Sequence, residues 1–131
     1  MELLVFYLLR NRQKHLNSIT FVYMVMIKKN NIIKVNRLFG ETLSQSSNLD
    51  FEIDMANRQK NIYKKLAHIA RAMTAGHSFS NANKRTALVV IQSEMAKAGL
   101  KCDKIKLTKL LVRLSKTQET RIPIIERRLR K

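Results

Sequence analysis

Three glycines and one proline in 131 residues leave this chain few places to turn sharply. A β-sandwich or barrel needs many such places, whereas a helical domain needs few. The sequence therefore predicts a mostly α fold, with Gly40, Gly76, Gly99 and Pro123 marking boundaries. An apolar content of 45% over this length is enough for one domain with a modest core.

From residue 57 the apolar positions repeat at helical spacing. Ile62, Leu66, Ile69, Ala70 and Met73 recur every three or four residues, with Arg58, Lys60, Lys64, Lys65 and Arg71 mostly on other faces. This predicts a helix over 57–75, ended by Gly76 in a left-handed conformation. His68 lies inside it and reads as a packing or surface residue. A second helix over 83–98 carries Ala87, Leu88, Val89, Val90, Ile91 and Met95, apolar on more than one stripe and so buried on several sides. Leu107, Leu110, Leu111 and Leu114 mark a third, stopping near 115–117. Ile122-Pro123 begins a fourth, whose Arg127, Arg128, Arg130 and Lys131 suit its C-terminal dipole.

The first 56 residues read differently. The apolar run Met1–Leu9 is too short to span a membrane, and with Glu2 first it lacks the layout of a signal peptide. Between Ser18 and Val35, β-formers flank Lys28-Lys29-Asn30-Asn31, the pattern of a β-hairpin. Residues 40–50 read as a polar connector. The expected organisation is one domain: an N-terminal element, hairpin and connector over 1–56, then a helical core over 57–131.

Between the two longest helices lies Gly76-His77-Ser78-Phe79-Ser80-Asn81-Ala82-Asn83-Lys84-Arg85. A helix preceded by a short polar loop offers free backbone N–H groups to an anion, and Lys84 and Arg85 add two positive charges there. Asn81 or Asn83 suits the cap of that helix. Cations in a first turn oppose the helix dipole and cost stability unless an anion binds, so local rule and sequence conflict as at functional sites. His77 has the chemistry of a general base, Phe79 of an anchor for the loop, and Asn83, Lys84 and Arg85 of phosphate ligands.

Charge agrees with this. Residues 1–56 hold 7 basic and 5 acidic side chains, and residues 57–131 hold 19 and 4, so most of the net charge of +17 lies with the motif. Such a surface attracts nucleotides, nucleic acid or an acidic protein. The single cysteine, Cys102, forms no internal disulfide, which points to a reducing cytoplasm.

The run from His77 resembles the signature of the Fic/Doc family, His-x-Phe-x-(Asp/Glu)-(Gly/Ala)-Asn-(Gly/Lys)-Arg. His77, Phe79, Ala82, Asn83, Lys84 and Arg85 fall on it, and Asn81 stands where the family has a carboxylate. Ala82, Lys84 and Thr86-Ala87-Leu88 look most like the Doc (death-on-curing) toxin branch, and the likeness extends from about Asn57 to the C-terminus. The resemblance implies a Fic/Doc-like helical bundle whose hairpin aligns a target segment. It implies transfer of a phosphoryl or nucleotidyl group from ATP or another NTP to a Thr, Ser or Tyr hydroxyl of a protein, with His77 as the base. The Doc branch implies a kinase-like toxin acting on a translation elongation factor and held in check by an antitoxin, for which a chain of +17 suits an acidic partner. The family's motif carboxylate holds Mg²⁺; Asn81 offers one neutral carbonyl and implies weaker metal binding. Two further readings stand beside this one: a catalytically silent protein of the same fold, and a basic nucleic-acid binder.

Overall fold

Two side chains that the sequence reading did not name cap the starts of helices. Asn61 accepts hydrogen bonds from the N–H groups of Tyr63 and Lys64, and Asp103 from those of Ile105 and Lys106. The computed structural model describes residues 26–39, 46–76 and 83–131, and there the chain forms six α-helices and no strand. They are α1 (Lys29–Leu38), α2 (Ser46–Asn57), α3 (Ile62–Met73), α4 (Asn83–Lys97), α5 (Lys104–Thr117) and α6 (Ile122–Arg130). The mostly helical reading holds. No helix among the described residues is long and apolar enough to cross a membrane.

The hairpin is corrected. Its turn and second strand fall in α1, where Ile32, Val35 and Asn36 are buried at helical spacing. Packing of that face against α4 outweighs the β-propensity of Ile32, Ile33 and Val35. Residues 18–25 of the expected hairpin, like the Met1–Leu9 run, lie outside the described residues. The connector is corrected in part: Ser46–Asp50 opens α2, whose Leu49, Glu52, Ile53 and Ala56 are buried at spacings of three and four. Its remainder, residues 40–45, lies outside the described residues.

The helix expected from residue 57 starts at Ile62 instead, because Asn57 belongs to α2 and has another task. Its side-chain amide donates to the Ile27 carbonyl and accepts from the Ile27 N–H, each at 2.8 Å. One side chain thus pairs with extended backbone as a neighbouring strand would.

Helices α3 and α4 form the centre. α3 packs against α2, α4 and α6, and α4 against α1, α3 and α5. Leu66, Ala67, Ile69, Ala70, Ala72, Met73, Ala87 and Ile91 are wholly buried there. α4 is covered on several sides, as its apolar residues predict. On α3, however, Lys65 is buried rather than on an outer face, and lies near the buried Glu94. Gly99 (φ 74°) ends α4 and Gln118 (φ 52°) ends α5, both in the left-handed region.

Candidate phosphate-binding site

The first turn of α4 begins at Asn83, which is half-buried. Lys84 and Arg85 follow, both exposed, and that turn contains no acidic residue. Thr86 and Ala87, next along, are wholly buried. The helix therefore enters the core within one turn of its two exposed cations.

Helix α1 fixes that turn in place. Asn36 Nδ2 donates to Thr86 Oγ1 at 2.9 Å, inside the core. Beyond it, the Arg85 guanidinium carbon lies 5.2 Å from the centroid of the Phe39 ring. The ring's negative face offsets part of the cost of a cation at a helix N-terminus. It also holds the guanidinium on one side of the turn.

The chain segment leading to the loop is held as firmly. Asn48 of α2 donates to the Gly76 carbonyl at 3.1 Å, and the Gly76 N–H donates to the Arg71 carbonyl at 2.9 Å. Gly76 does not take a left-handed conformation, so the expected reason for glycine here is corrected. The reason is proximity: a Cβ would collide with Asn48 Nδ2 and lie 2.8 Å from the Ala72 carbonyl oxygen.

The structure thus brings Asn83, Lys84 and Arg85 together on one fixed turn. His77, Phe79 and Asn81 lie outside the described residues, and their assignments rest on the sequence. Sequence reasoning missed Asn36, Phe39 and Asn48, the three residues that fix the two ends of the loop. For Asn36 one signal existed, an amide placed i+4 from Ile32 on an apolar stripe.

Residues 83–85 suit phosphate oxygens. For a divalent cation the described residues supply less, as no group of three His, Cys, Asp or Glu side chains lies close enough to hold one. Glu94, the next acid along α4, lies about 16 Å from Asn83 along the helix axis. It is buried and paired with Lys97 at 3.0 Å. Burial pushes its carboxyl above the usual range, against the pull of Lys97 and Lys65. Asp54 is paired with Arg58 at 3.0 Å.

Behind the site a second polar cluster ties helices together. Arg71 binds Glu52 through two hydrogen bonds of 2.7 Å each, and His68 Nδ1 lies 3.3 Å from Glu52 Oε1. Arg71 also donates to the Thr120 carbonyl at 3.0 Å, linking α2 and α3 to the α5–α6 connection. Burial pushes the Glu52 carboxyl up, but the bonds from Arg71 and His68 outweigh it and hold the group below its ordinary value. His68 is buried within this polar cluster rather than at the site.

A fixed first helix turn with two exposed cations and no acidic residue suits an anionic ligand. A family model described as the Fic/DOC family matches residues 11–94, and the chain belongs to that family. Membership places it among transferases that use a nucleoside triphosphate. The match begins well upstream of residue 57 and ends within α4, so it shares residues 57–94 with the expected stretch of residues 57–131 and does not reach α5 and α6. Neither a curated protein nor a solved structure matched the chain.

Proposed function

We propose that the protein transfers a phosphoryl group from ATP or another NTP to a hydroxyl side chain of a target protein, as the toxin of a toxin–antitoxin pair. The observation that carries this reading is the pair of exposed cations, Lys84 and Arg85, on a helix turn fixed by Asn36 and Phe39. Asn83, Lys84 and Arg85 bind phosphate oxygens and hold the phosphoryl group for attack. His77 takes the proton of the target hydroxyl as its oxygen attacks the γ-phosphorus. The bond from that phosphorus to the β,γ-bridging oxygen breaks, and the nucleoside diphosphate leaves. Mg²⁺, when bound, supplies charge neutralisation at the phosphates. Asn81 supports a lesser dependence on it than a carboxylate would.

Phosphoryl transfer is preferred to adenylyl transfer because Lys84 looks most like the Doc branch, whose likeness implies a kinase. The test is incubation of cell extract with the protein and ATP labelled at either the α- or the γ-phosphate, followed by mass spectrometry of labelled proteins. Transfer of γ-label onto one protein, lost in His77→Ala, is the expected result. Transfer of α-label replaces phosphorylation by adenylylation. No transfer by a protein that still binds ATP favours the silent reading that Asn81 also permits.

A further inference from the structure

We propose that the groove between α5 and α6 binds the phosphodiester backbone of a nucleic-acid strand, at a surface separate from the nucleotide site. Two adjoining hollows of about 310 and 570 Å³ form this groove and share Leu110, Arg128 and Lys131 in their walls. Lys106, Lys109 and Arg113 line one side at i, i+3 and i+7, a row about 10 Å long on one face of α5. Arg127 and Arg128 of α6 line the other side.

Among the described residues, none of these five side chains makes an ion pair. The acids among the described residues already have partners. Asp50, Glu52, Asp54, Glu94, Glu119 and Glu126 pair with Lys29, Arg71, Arg58, Lys97, Arg121 and Arg130. Asp103, which also lines the first hollow, caps α5. Five like charges therefore face one concavity and repel each other, and a bound polyanion relieves that repulsion.

The lining favours nucleic acid over an acidic protein. Protein partners draw most of their affinity from apolar anchors; the first hollow offers Tyr63, Leu107 and Leu129, but the second is lined by five cations with Leu110 as its one apolar residue. A phosphate backbone needs only cations, because it binds by releasing condensed counterions. The groove is also remote from the transferase site: Met95 in its wall lies about 18 Å along α4 from Asn83. Helices α5 and α6 fall beyond residues 11–94, so the family match does not account for them.

The test is fluorescence anisotropy of the full chain with a labelled uridine strand or a labelled DNA duplex, between about 50 and 200 mM salt. Lys109→Ala/Arg113→Ala/Arg127→Ala/Arg128→Ala is compared with Lys34→Ala/Arg37→Ala/Lys60→Ala/Lys64→Ala, which removes equal charge elsewhere. The groove variant should lose about tenfold or more in affinity, with the slope of log K against log salt for the single strand shallower by about 3. The control should stay within about threefold of wild type at one salt concentration. Either nucleic acid supports the proposal, and the tighter one names the source. Equal loss in both variants, no binding by wild type, or equally tight binding of a polyglutamate peptide overturns it. Photocrosslinking of wild type to a 4-thiouridine strand gives a second readout free of folding effects: adducts should fall in residues 104–131, and adducts confined to α1 or α3 overturn it.

Discussion

Asn36 and Thr86 are 50 residues apart in sequence, yet their side chains meet at 2.9 Å with neither exposed to solvent. This bond joins α1 to the turn of α4 that carries Lys84 and Arg85. Replacing Thr86 by valine keeps the shape and removes the acceptor, which should cost about 1–3 kcal/mol of stability. A double-mutant cycle with Asn36→Ala checks it by chemical denaturation. Additive losses would show that the two side chains do not act as a pair.

The Phe39 ring beside Arg85 gives a graded expectation for ligand binding. Arg85→Ala should weaken ATP binding by about 1.5–3 kcal/mol, the worth of a charge-assisted contact. Phe39→Ala leaves the cation but frees it, and should cost only about 0.5–1 kcal/mol. Calorimetric titration distinguishes the two. A loss in Lys60→Ala equal to that in Arg85→Ala would mean that bulk charge, not this turn, attracts the nucleotide.

Gly76→Ala should destabilise the protein by about 1–3 kcal/mol, since a Cβ there has no room. Because one obstacle is the Asn48 side chain, adding Asn48→Ala should restore part of the loss. The Ala72 carbonyl, 2.8 Å from the new Cβ, keeps the rescue incomplete. Thermal melts of Gly76→Ala, Asn48→Ala and the double variant measure this.

Glu52 links stability to pH with a definite sign. Its folded pKa lies below the ordinary carboxylate value, so its contribution is fully present above that value and is lost as pH falls through the folded pKa. Glu52→Gln should cost about 2–3 kcal/mol at neutral pH, where Arg71 loses its bidentate partner. The gap to wild type should narrow as pH drops below about 4.5. Urea denaturation across the acid range reads both limbs, and a gap independent of pH would remove Glu52 from this role.

Asn81 bears on the metal. Wild type should bind Mg²⁺–ATP little better than metal-free ATP, and Asn81→Asp should gain a clear preference for the metal complex. Asp and Asn cap helices equally well, so stability should hardly change. Paired calorimetry with and without Mg²⁺ tests this, and strong metal dependence in the wild type would refute it.

The sequence made the later helices legible through their apolar spacing and through Gly99, which ends α4; the caps Asn61 and Asp103 went unread, so α3 was expected from residue 57 rather than Ile62. The cations of the site were legible too, since Lys84 and Arg85 violate a local rule. What stayed hidden was α1. Ile32, Ile33 and Val35 carry β-propensity, and only the packing of α1 on α4 decides against it. With α1 misread, Asn36 and Phe39 had no visible relation to a turn some fifty residues on. Lys65 and Glu94 were hidden for a related reason, because charge on a helix normally means solvent and here it is buried.

Asn48 grips Gly76, and Asn36 with Phe39 grips Thr86 and Arg85. The turn that carries the two cations is thus held by a helix some fifty residues upstream. A substitution that loosens α1 would reach this turn without altering a single residue of it, so a remote change can blunt the site while every charge there stays in the sequence.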